Sequence, residues 1–221
     1  MSSSRLIRLG GLAAMVGFAL FAVVAVAFVF AFPEDVAPSV LAASNTWLAL
    51  HVLIVVAYLL CLLGLVGLYA RQAERAGILG LIAFLLTFLG IAPRFGWEWI
   101  ETLVFPTLAQ AAPRLLDQPV PTANVLGIVE VSTVLLLLVG VLLFGVASLR
   151  AGVLPRWAAV LVILGAVVDL ISIFVGVDFP FTAAVAGPAL AWMGYTVWSR
   201  PAAVTDAIAP MAAGEPSVAN R

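Results

Sequence analysis

TWLALHVLIVVAYLLCLLGLVGLYARQAERAGILGLIAFLLTFLGIA (46–92) holds two apolar runs separated by the short charged stretch Arg71-Gln72-Ala73-Glu74-Arg75. The first run, 46–70, would rise about 37 Å as a helix, at about 1.5 Å per residue. That exceeds the roughly 30 Å hydrocarbon core of a bilayer. A sequence of this kind reads as two membrane spans joined by a charged connection, and the same pattern extends along the chain. The expected fold is all-α, a polytopic bundle of six transmembrane helices at about 9–32, 46–70, 77–92, 123–149, 155–175 and 179–198. Pro93 is expected to end or kink the third and shortest of them.

The first span also has features of a secretion signal, with Arg5 and Arg8 ahead of it and Ala25-Val26-Ala27 near its end. Its apolar stretch is longer than the usual core of a cleaved signal, so a retained span is expected. The segment 201–221, rich in Ala and Pro without apolar periodicity, is expected to be a disordered cytoplasmic tail.

Composition agrees. Of 221 residues 65% are hydrophobic and only 10% charged, against about 25% charged in soluble domains. The net charge of −1 gives no reason to expect a nucleic-acid partner. The bilayer itself is the expected partner, and oligomeric state is not legible. The single cysteine, Cys61, precludes an intramolecular disulfide and reads as a small core residue.

Arginine placement sets the expected orientation. Arg5, Arg8, Arg71, Arg75, Arg150, Arg156, Arg200 and Arg221 fall on one side of the six-span layout, and only Arg94 and Arg114 on the other. Basic residues concentrate in cytoplasmic loops. Both termini are therefore expected in the cytoplasm of a cell whose plasma (inner) membrane holds the protein. Trp47, Trp97 and Trp99 would mark the outer boundary, and Trp157 and Trp198 the inner one.

Arg75-Ala76-Gly77 and Arg150-Ala151-Gly152 open the third and fifth spans, and Arg8-Leu9-Gly10 is a weaker echo before the first. The layout suggests three repeated helical hairpins.

Ionisable residues inside hydrocarbon are costly and commonly functional. His51 lies six residues past Asn45, and Glu130 six past Asn124. Arg94 and Asp169 each lie 19 residues beyond the arginine of an Arg-Ala-Gly stretch. These four are expected in the outer half and to converge, with Arg94 paired to one acid. Glu98 and Glu101, three apart and therefore on one helix face, would either meet water at the interface or close over the pocket as a lid.

The site so composed, His51, Arg94, Glu98, Glu101, Glu130 and Asp169, would bind or move a small amphipathic or lipid-like molecule. A membrane-embedded acid–base enzyme of cyclase or isomerase type would use Glu130, Asp169 or His51 instead. A structural or accessory subunit would use these residues only to lock helices. No phosphate loop, nucleophile elbow or zinc-protease motif occurs, and no cofactor is expected. A mixed His51/Glu130/Asp169 set is chemically able to hold zinc or iron, but no metal is assigned.

Overall fold

A computed structural model describes residues 3–33, 35–118, 125–175 and 180–199. Asn124, the start of the fourth and sixth expected spans, and the tail 201–221 lie outside the described residues. Those described are helical, with no strand among them. The helices are α1 (Ser3–Ala31), α2 (Pro38–Ala42), α3 (Asn45–Ala111), α4 (Pro113–Asp117), α5 (Val125–Ala151), α6 (Arg156–Val175) and α7 (Gly187–Ser199), with a π-helical turn at Thr182–Ala186 before α7. Four described helices, α1, α3, α5 and α6, are long and apolar enough to cross a membrane.

α3 is the organising element. Ser44 caps its start, its Oγ accepting the Trp47 amide N–H at 3.1 Å. The helix bends back on itself at Gly77, whose φ of 57° is outside the helical range. The sequence there reads as a loop between two spans. The structure makes it a one-residue hinge joining two arms, 45–76 and 78–111, of about 48 and 51 Å by helical rise. Pro93 does not end the second arm, which continues through Ala111. A proline costs a helix one backbone hydrogen bond, and the packed neighbours hold the arm straight enough to continue. Gly152, in the second Arg-Ala-Gly stretch, also has positive φ, 63°. The two stretches thus share a positive-φ glycine, a backbone conformation that glycine adopts at least cost.

The arms pair residues at nearly equal distances from the hinge. Tyr69 stacks on Phe84 near the hinge, and Trp47 on Phe105 near the far end. Around this hairpin the other helices complete a ring: α1 against the first arm, α5 against the second, α6 on α5, and α7 closing back onto α1. The seams are made of small residues. A Cβ at Gly64 would overlap Ala14 of α1, and one at Gly140 of α5 would overlap Thr87 of the second arm. Close backbone approach of this kind is how helices associate when their surroundings are as apolar as they are.

The α7 region departs from a simple helix. Pro188 has no N–H for the Ala184 carbonyl, and the Gly187 N–H instead reaches the Thr182 carbonyl, widening the turn into a π segment. Antiparallel packing brings Arg5, Arg8, Arg71, Arg75, Arg150 and Arg156 to the hinge end, where Arg8 Nε donates to the Trp198 carbonyl at 3.3 Å. The opposite end carries the short helices α2 and α4. They are tied by Ser39, whose N–H and Oγ both donate to the Asp117 carboxylate at 3.0 and 2.9 Å.

Candidate functional site

The centre of the bundle offers little room. A cavity of about 30 Å³ lies among Phe18, Tyr58, Cys61, Leu137 and Leu190, space for about one water and lined by apolar groups. The polar chemistry sits instead at the far end, on the two arms of α3 and the facing part of α5.

His51 is 20 residues from Arg71, about 30 Å along the first arm. It is 2% exposed. Its ring is enclosed by aromatics: Trp47 stacks on it with centroids 4.0 Å apart, and Phe28 meets it edge-on at 4.9 Å. Nδ1 lies 2.9 Å from the Trp47 carbonyl. A carbonyl only accepts, so Nδ1 carries the proton. Nε2 is thereby directed to Glu101 Oε2, 3.4 Å away on the second arm. Trp47 fastens the same point from the other side, its Nε1–H donating to the Glu101 carbonyl at 2.9 Å.

Glu98, one turn before Glu101, completes the group. One donor atom from each of His51, Glu98 and Glu101 lies within 4.8 Å of the other two. Glu98 is 5% exposed, and its Oε2 has no hydrogen-bond partner among the described residues. Of the two roles open to these acids from sequence, facing water or closing over the pocket, the structure turns both inward toward His51.

Arg94 stands between this group and a second feature. Its guanidinium faces the Tyr58 hydroxyl, Glu98 and Glu101. NH1 also lies 3.6 Å from Glu130 Oε1 on α5, where the Glu130 side chain is 67% exposed. Beside this pair a cleft of about 270 Å³ opens between the second arm and α5, lined by Pro93, Gly96, Trp97, Ile100, Val129 and Thr133 together with Arg94 and Glu130.

The expected convergence of His51, Glu130 and Asp169 is therefore corrected. Glu130 meets Arg94 at the bundle surface and stays outside the histidine group. Asp169 is half-buried on α6, a helix that packs on α5, α7 and the π turn. It has no ion-pair partner within 4 Å among the described residues. The physical reason lies in the ring order, which places α5 between α6 and the hairpin.

Sequence reasoning placed every member of the histidine group in one site but gave no contact between His51 and the two acids. The signal was there: His51 and Glu101 stand 26 and 24 residues from the Gly77 hinge, on opposite arms. Ser39, partner of Asp117, and the buried Gln72 beside the hinge carried no such signal. Both amide heteroatoms of Gln72 lack a hydrogen-bond partner among the described residues. Comparison with family models, with curated proteins and with solved structures finds no match to this chain.

Proposed function

We propose that the protein is a six-crossing plasma-membrane protein, with both termini cytoplasmic, that binds or moves a small amphipathic or lipid-like molecule. The observation that carries this reading is the lateral cleft between the second arm of α3 and α5. It combines a charged pair with apolar walls, the composition of ligand sites that fix a polar head and bury an apolar body. Arg94 is 17 residues past the Gly77 hinge, about 25 Å of helical rise, so in a bilayer the charged pair would lie toward the outer end of the hydrocarbon layer with the apolar walls alongside the acyl chains. The acid–base enzyme reading would need an enclosed carboxyl beside the ligand; the enclosed one, Glu98, belongs to the histidine group and does not line the cleft, whereas Glu130 of the cleft is widely exposed. The accessory-subunit reading leaves the cleft unused.

Native mass spectrometry of the detergent-purified protein with added phosphatidic acid or oleate tests the reading. The wild type should retain one such molecule. Gly96→Leu should lose it, because a side chain there projects into the cleft and an added Cβ meets nothing within 4 Å. Arg94→Ala should weaken retention as well. Equal retention by wild type and Gly96→Leu would reject the cleft as the site.

A further inference from the structure

The histidine group at the tip of the α3 hairpin poses a charge problem that the cleft does not answer. With Nδ1 donating to the Trp47 carbonyl, a neutral His51 presents its Nε2 lone pair toward Glu101. Glu98 and Glu101 present carboxylate oxygens to the same point. Three acceptors thus converge with Arg94 as the one charged donor facing them among the described residues, and the Glu98 Oε2 atom is buried without a hydrogen-bond partner among those residues. Buried polar groups left unpaired are uncommon and call for an explanation.

We propose that His51, Glu98 and Glu101 bind a divalent first-row transition-metal ion, with zinc as the best-fitting case. Three independent observations support the assignment. The first is spacing: two ligand atoms each about 2.1 Å from a tetrahedral ion stand about 3.4 Å apart, and His51 Nε2 and Glu101 Oε2 are 3.4 Å apart. The second is orientation. Metal-binding histidines commonly donate their other ring N–H to a carbonyl or carboxylate, which fixes tautomer and ring plane, and Trp47 supplies that carbonyl here.

The third observation is charge. With His51 neutral and both acids ionised, as metal ligation requires, Glu98 and Glu101 contribute −2, which a divalent ion cancels and which Arg94, shared with Glu130 and Tyr58, offsets only in part. One imidazole and two carboxylates suit zinc, manganese or iron(II) rather than the thiol-seeking ions. Three protein ligands leave a fourth position for water or another ligand. The Glu101 side chain, 21% exposed, leaves that position a route to the outside, whereas Trp47, Phe28 and Phe32 close the remaining sides.

The test uses the full chain in detergent, stripped with chelator and then titrated with Zn²⁺ or Co²⁺ alone. One ion per chain is expected, with the visible d–d absorption of low-coordinate Co²⁺ and a rise in thermal unfolding temperature on Zn²⁺ addition. Glu98→Gln, Glu101→Gln and His51→Asn should each weaken binding at least ~10-fold, since each removes a ligand. The stripped Glu98→Gln protein should unfold no earlier than stripped wild type, because it loses one of three mutually repelling acceptors. If these residues instead form only a structural ion pair, Glu101→Gln would destabilise the stripped protein and Zn²⁺ would shift neither it nor the wild type. That result overturns the proposal. So does a wild-type Zn²⁺ site whose X-ray absorption spectrum shows no imidazole, a readout that does not depend on any variant folding.

Discussion

Trp47 does two separable things at the hairpin tip: its indole N–H holds the Glu101 carbonyl, and its ring covers His51. Trp47→Phe keeps an aromatic face and removes the hydrogen bond, worth about 1 kcal/mol. Thermal unfolding in detergent should register this as a loss of about 2–4 °C. At this scale the sequence pointed to residue identities and to a pair between Arg94 and an acid, which Glu130 supplies at 3.6 Å, but not to the other pairings. Glu98 and Glu101 could be placed on one face from their spacing of three, yet the direction of that face depends on where the chain turns back. Reading Arg71–Arg75 as a loop left the register free by several residues, and a shift of two carries a helical side chain to the opposite face. Once Gly77 is the hinge the register is fixed, and Trp47, His51 and Tyr58 find Phe105, Glu101 and Arg94, each partner within two residues of the same distance from it.

Among the elements, the hinge is the point most sensitive to a small change. An added Cβ at Gly77 would meet no atom within 4 Å, so Gly77→Ala carries only the cost of holding alanine at φ 57°, ψ −151°, a region almost exclusive to glycine, about 1–3 kcal/mol. Gly152→Ala, also at positive φ with open space around it, should destabilise as well, and denaturant titration of the two variants should give drops in this range. A much larger drop at Gly77 would mean that the hinge geometry also sets the packing of the arms. The helices themselves were legible, because long apolar runs bounded by arginine leave few alternatives in a bilayer. Their partners were not. A helix that is apolar all round offers no polar face to point outward. The information about which side meets a neighbour resides in small residues such as Gly64 and Gly140, which composition alone does not distinguish from the rest of an alanine-rich sequence. The π turn before α7 follows from Pro188 but has no signature that separates it from an ordinary kink.

For the whole molecule, the ring order α1, first arm, second arm, α5, α6, α7 accounts for why two acids expected at one site are apart. Matching depth is a property of sequence position, whereas adjacency is a property of the ring, and Asp169 shares the first with Arg94 but not the second. The orientation expected from the arginines has its own check. Reporter fusions after Arg75 and after Arg150 should report cytoplasm, and fusions near Asp117 the opposite face; an external signal at Arg150 would reverse the orientation. The arms of α3, about 48 and 51 Å long, outreach a hydrocarbon layer of about 30 Å. A membrane-embedded hairpin of that length has no single correct depth: lipid of greater thickness climbs the arms, and lipid of lesser thickness leaves more of them standing clear. With the inner edge of the hydrocarbon at Arg71, the histidine group, about 30 Å away along the arm, would sit at the waterline, and one helical turn of added acyl thickness would submerge it. Exchange of the proposed metal with the aqueous phase would then be governed by bilayer thickness as well as by affinity, the membrane's own composition acting as the shutter on the site.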